Sequence, residues 1–186
     1  MTRSLLFACI LIAVAMTLGG QQQQQQMMVN DETAIIAPLV TFSGAYSAID
    51  QPRIVRIADK QSWDALWKEH RGKSLEHNAR NWPVIPEINF EQCMVIAIFD
   101  GEVWNTDGVT MHELSINTGK ATLRYDHLTF QTAGPDGGGV RTRPYGLFVL
   151  PRFGEPIELL ENVQGLKDQP AKWKRQAELP GLAWRK

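Results

Sequence analysis

Four histidines, His70, His77, His112 and His127, and the cysteine Cys93 are the side chains best suited to metal binding or nucleophilic chemistry. No two histidines have the His-Glu-x-x-His spacing that sets two imidazoles on one helical turn over a zinc ion. His112-Glu113 and Asp126-His127 are adjacent pairs, and adjacent side chains in a strand point to opposite faces. His70 closes a helical pattern, where the helix dipole favours an imidazolium. Cys93 opens an apolar run and reads as a small buried hydrophobe rather than a nucleophile. There is no Gly-x-Ser-x-Gly elbow, and 20 acidic residues make a chance carboxylate pair easy, so none is assigned. The expectation is a chain with no catalytic residue, no metal and no cofactor.

Two connections carry the remaining chemistry-bearing residues. Gly134-Pro135-Asp136-Gly137-Gly138-Gly139 is glycine-rich enough to cradle phosphate, but no Gly-Lys-Ser/Thr follows and the next element is a strand after Pro144, not a helix N-terminus. It reads as a hairpin tip or long loop. Asp136, Arg141 and Arg143 in that stretch, and Trp104, Asn105 and Asp107 in the turn-rich segment after Gly101, are the candidate partner-binding residues, because loops on a rigid scaffold carry recognition.

The scaffold itself is clearly patterned. Thr41 to Ser47 and Arg53 to Ile57 read as strands, the second peripheral. Asp59 or Ser62 caps a helix over Ser62 to His70, in which Trp63, Leu66 and Trp67 fall at i, i+3, i+4 on one face and read as core anchors. Arg71 to Glu87 is polar and proline-punctuated, a surface loop. Met94 to Phe99 and Tyr145 to Leu150 are apolar on both faces, so both belong inside a sheet covered on two sides, as neighbours. Val109 to Ile116 alternates, Asn117-Thr118-Gly119 is a hairpin turn, and Ala121 to Gln131 returns with a change of apolar face and a bulge near Asp126-His127. Ile157 to Leu160 is a last short strand. These elements predict an α+β fold, mostly antiparallel sheet with one principal helix, about 62–70, packed on it.

Residues 1–20 pair Arg3 with the apolar run Leu5 to Met16 and end in small residues, the pattern of an export signal that is short for a membrane span. Residues 21–40 hold the glutamine tract Gln21 to Gln26 and read as a low-complexity linker. Residues 41–163 form the domain, and 164–186 a charged tail. With 186 residues and 44% hydrophobic content, one core is the expectation. A formal charge of -1 offers no basic field to attract a phosphate backbone, which excludes nucleic acid as a partner. Loss of the signal would leave Cys93 alone, unable to form an internal disulfide. The expected location is periplasmic or extracellular, without stable membrane insertion.

The series Tyr46-Ser47-Ala48-Ile49, Arg53 to Ile57, Trp63 to His70, Asn89-Phe90, Met94 to Gly101 and Pro144 to Pro151 resembles the PrcB C-terminal domain family over roughly residues 41 to 155. The chain departs from the family pattern where Asn105-Thr106-Asp107-Gly108-Val109 replaces a Thr-Gly-Gly-Tyr-like segment. The resemblance implies an exported bacterial domain that is accessory to a protease complex, which it stabilises, and has no catalytic residues. The expected function is non-catalytic protein binding. The alternatives are a small secreted hydrolase with a site assembled only in three dimensions, and a structural envelope protein.

Overall fold

The computed structural model describes residues 33–132, 138–165 and 169–183. The expected signal, the glutamine tract and Asp136 lie outside the described residues.

The two doubly apolar strands organise everything else. β4 (Cys93–Asp100) and β9 (Tyr145–Pro151) pair with each other, and β2 (Val40–Gly44) and β3 (Pro52–Ile57) flank them to give a four-stranded antiparallel sheet in the order β2-β9-β4-β3. One face of β4 presents Met94, Ile96 and Ile98 to a second sheet; the other presents Val95, Ala97 and Phe99 to the helix α1 (Lys60–Arg71). The second sheet has five strands, β1 (Ala34–Ile36), β6 (Thr106–Asn117), β7 (Lys120–Thr129), β10 (Ile157–Asn162) and β11 (Trp173–Leu179), in the order β1-β6-β7-β10-β11. Only β7 and β10 run parallel; the other pairs are antiparallel. The α+β expectation holds, as helix on sheet on sheet. A two-stranded ribbon, β5 (Val103–Trp104) with β8 (Arg141–Thr142), stands apart from both sheets.

α1 starts at Lys60 because Asp59 supplies the cap: its Oδ1 accepts the Ser62 backbone N–H at 2.8 Å. It ends at Gly72, whose φ of 48° suits glycine and whose missing side chain leaves room for Ala48. Trp63 is 1% exposed, its indole N–H donates to the Pro86 carbonyl at 2.8 Å, and Trp67 donates to Val84 at 3.2 Å. The two anchors therefore also pin the proline-punctuated loop to the helix. Removing a side chain so enclosed costs about 3–5 kcal/mol.

The sandwich is tied at both sides by side chains. On one side the Ser43 hydroxyl donates to the Val109 carbonyl at 2.8 Å and accepts the Val109 N–H at 3.1 Å, replacing a ladder pair between β2 and β6. On the other, Arg56 of β3 donates to the carbonyls of Glu155 at 2.8 Å, Pro180 at 3.3 Å and Phe153, and stacks over the Phe153 ring at 4.9 Å. Burial, then neighbouring Arg152, lowers its pKa to about 10 against the pull of Glu155, and it remains a cation at neutral pH.

Several expectations need correction. Residues 173–179, expected in a charged tail, form β11, and residues 34–36, expected in the linker, form β1 against Leu114 to Ile116. β10 is thus not the last strand. The bulge expected near Asp126-His127 lies on the partner strand: β6 carries the extra residues, with register shifts between Thr106 and Val109 and between Met111 and Glu113. The apolar face of β7 does not switch, because Ala121, Leu123, Tyr125 and His127 keep one parity while Leu128 is exposed. The hairpin turn is as expected, with positive φ at Thr118 and Gly119 between the paired Asn117 and Lys120. The described residues belong to one compact unit, Thr33–Lys186. Among them no helix is long and apolar enough to cross a membrane.

Candidate functional site

Three inward-facing columns run along the sandwich and turn polar at the same end. Met94, Ile96 and Ile98 of β4 lead to Asp100; Ala121, Leu123 and Tyr125 of β7 lead to His127; Ile157 and Leu159 of β10 lead to Glu161. Period two in each strand keeps the last member on the inner face, where the sheets part and water can enter. The result is a cleft of about 660 Å³ whose lining includes Asp100, His127, Glu161, Tyr125, Thr106 and Gln176.

His127 sits between carboxylates on opposite sheets. Its Nε2 is 2.8 Å from Asp100 Oδ2 on β4, and its Nδ1 is 3.4 Å from Glu161 Oε1 on β10. Asp100 Oδ2 is buried without an aligned hydrogen-bond donor, so the imidazolium supplies most of its compensation. Burial disfavours the cation, but Asp100, then Glu161 and Asp126, outweigh it and raise the pKa of His127 above its ordinary 6.5. Tyr125, packed edge-on against this ring at 5.8 Å, is pushed well above the usual phenol value by burial and by the charges of Glu161 and Asp100. It stays a neutral phenol.

This arrangement favours holding charge over transferring it. In its protonated form, a histidine with a carboxylate at each nitrogen has no free lone pair, and in that form it suits neither a general base nor a metal ligand. Among the described residues no group of three or more His, Cys, Asp or Glu side chains is arranged to hold a metal ion. The remaining carboxylate, Asp126, is engaged on the outer side: Oδ1 accepts the His127 N–H at 2.7 Å, and Oδ2 accepts from Asn162 at 2.8 Å and lies 3.4 Å from His112 Nε2.

The expected partner-binding residues divide. Trp104 and Arg141 face each other as a registered pair on the ribbon, with the guanidinium 4.5 Å above the indole centroid and ion-paired to Glu102. Trp104 is 55% exposed. Asn105 fixes the end of the ribbon away from Asp100: with φ of 52°, it accepts the Val140 N–H on Oδ1 at 2.7 Å, donates to the Val140 carbonyl at 2.9 Å and accepts from Phe130 at 2.9 Å. Its backbone groups and Oδ1 are used internally. Asp107 is exposed beside it. Arg143 does not join this group; its backbone bonds to Ala45 and Ser47 next to β2. Asp136 lies outside the described residues. Val103 and Thr106 line the cleft, so the ribbon forms its rim.

Other candidates resolve structurally. His70 is not the dipole-favoured imidazolium expected at the helix end: it is 2% exposed, and burial, aided by Arg71, lowers its pKa to about 4. Desolvation outweighs the dipole. Cys93 is a half-buried free thiol packed on the helix side of the sheet. A second groove, about 780 Å³, runs between α1 and the loop of Trp82 to Asn89 and includes Trp63 but no histidine. His127 was one of four histidines weighed in the sequence, whereas Asp100 and Glu161 were not distinguished; yet each of the three is the first polar member of an alternating core column, and that signal was present.

Comparison with protein-family models, with characterised proteins and with solved structures finds no match.

Proposed function

We propose that this chain is an exported, non-catalytic accessory domain that binds another protein through the β5–β8 ribbon at the rim of the His127 cleft. The observation that carries this reading is the Arg141 guanidinium stacked 4.5 Å over the exposed Trp104 indole. Tryptophan and arginine dominate binding hot spots, and here both are held ready by a registered strand pair and by Asn105, which reduces the ordering cost of docking. The doubly engaged imidazole supports a binding role over hydrolysis. The resemblance to PrcB C-terminal domains suggests an exported protease as the class of partner.

A photo-crosslinking amino acid placed at Asp107, exposed next to the ribbon, tests this in cells exporting the full chain. The expected result is one discrete adduct that is lost on Trp104→Ala and retained on a remote control, Lys174→Ala. No adduct, or one indifferent to Trp104, overturns the proposal.

A further inference from the structure

The geometry points to a pH-operated latch: His127 as an imidazolium clasps β4 to β7 and β10 across the mouth of the sandwich, and losing its proton loosens the Asp100 to Trp104 connection. The use of this latch to regulate docking rests on the function proposed above; the latch itself belongs to the isolated chain.

The charges around His127 come from every element at the mouth. β4 contributes Asp100 and β10 contributes Glu161, at 2.8 and 3.4 Å from the two ring nitrogens. β7 itself contributes Asp126, whose charge is shared with His112 of β6 and Asn162. β11 contributes the neutral Gln176, which donates to Glu161. From β3 comes Arg53, which lines the same cleft and is ion-paired to Glu69 at 2.9 Å. Two carboxylates thus contact one imidazolium, and Asp126 adds its charge from the outer side. A neutral imidazole has one N–H and one lone pair, so it loses the charge that offsets both carboxylates and can turn an N–H toward only one of them. The other is left against a lone pair at the edge of a core, a costly arrangement that separation of the sheets relieves.

Release is transmitted because Asp100 sits at the root of both ribbon strands. Two residues, Gly101 and Glu102, separate it from β5, and its N–H donates at 3.3 Å to the carbonyl of Pro144, two residues beyond β8. Gly101, at φ 69°, packs against Asp50 and Pro52 and makes the sharp turn between Asp100 and the ribbon. With the latch closed the ribbon is anchored; above the transition its base gains freedom.

Nuclear magnetic resonance of the isotopically labelled full chain tests this from the acid to the alkaline side of neutrality. The readouts are the ring signals of His127 and the amide protection factors, which correct for base catalysis of exchange, of Asp100, Val103 and Asn105, the positions that bond across the ribbon. Protection at these three amides is expected to fall several-fold with the midpoint of His127. His127→Gln should abolish the step, His112→Gln should leave it, and Glu161→Gln should move its midpoint to lower pH. A ribbon that shows no step at the His127 midpoint, or a step surviving in His127→Gln, overturns the latch. If His127→Gln does not fold, an unmoved midpoint in Glu161→Gln overturns it. Failed crosslinking at position 107 with the step intact removes the docking function and leaves the latch standing.

Discussion

The His70 ring and the Ser47 hydroxyl meet 3.0 Å apart in the interior, joining the end of α1 to the segment between β2 and β3. The same hydroxyl accepts the Ile49 N–H at 3.0 Å. Trp67, Phe99 and Tyr145 enclose the ring at centroid distances of 5.5, 5.8 and 4.2 Å, and Nε2 has no partner. His70 is therefore built in as a neutral side chain.

Acid should destabilise the fold through this residue. With a folded pKa of about 4 against 6.5, His70 binds its proton more readily in the unfolded chain. The stability that follows from keeping it neutral is fully present above about pH 6.5 and falls away toward about pH 4, by roughly 3 kcal/mol in all. Urea unfolding across that window should show the loss, and His70→Gln should flatten it. An unchanged slope in the variant assigns the acid limb to other groups.

His127 should act in the opposite sense. Its folded pKa is raised, so its contribution is complete below the unfolded value of 6.5 and disappears as pH rises through the folded value. His127→Gln should therefore lose stability relative to the parent on the acid side and converge with it at alkaline pH. The difference in urea midpoint between the two, plotted against pH, is the measurement.

Arg56 shows how a charge can be part of the interior. It donates to three carbonyls from the Phe153 to Glu155 turn and Pro180, so lysine, with its single ammonium, cannot reproduce the fork. Arg56→Lys should cost about 1.5–3 kcal/mol, the scale of a hydrogen bond to a charged group. Denaturation will show this as a lower midpoint at unchanged slope. Amide exchange should rise first at Leu182, whose N–H donates to Gly154 beside the lost contacts.

What could be read in advance was whatever apolar periodicity dictates. β4 and β9 are apolar on both faces, which put them at the centre, and Trp63, Leu66 and Trp67 could only be a helix face pressed on a sheet. β11 escaped because Trp-Lys-Arg-Gln-Ala-Glu-Leu is an edge strand with one half-buried face, and its charges form lateral pairs such as Arg175 with Glu158 that follow from register alone. Arg53 to Ile57 looked peripheral and is, but the carbonyls that Arg56 meets lie about a hundred residues away in the chain. The His127 cleft was half legible. Parity marks Asp100, His127 and Glu161 as inward, whereas their convergence depends on the parallel pairing of β7 with β10, for which no local pattern exists.

Gly139 offers the sharpest probe of the ribbon, because it lies directly against the indole of Trp104. A Cβ at this position would stand 2.6 Å from Cε3 and 3.0 Å from Cζ3 of that ring, too close to be accommodated without moving it. Gly139→Ala should therefore displace Trp104 from Arg141 while leaving both sheets intact, with a stability change within about 0.5 kcal/mol as for other surface substitutions. Crosslinking through position 107 should fall several-fold in this variant. Arg141→Lys, which keeps the charge but loses the guanidinium over the indole, should give a smaller fall, since an exposed cation–π contact contributes only about 0.5–1 kcal/mol. Equal capture by all three proteins at matched urea midpoints shows that the ring's position is immaterial to the partner, and the docking surface must then be sought elsewhere on the domain.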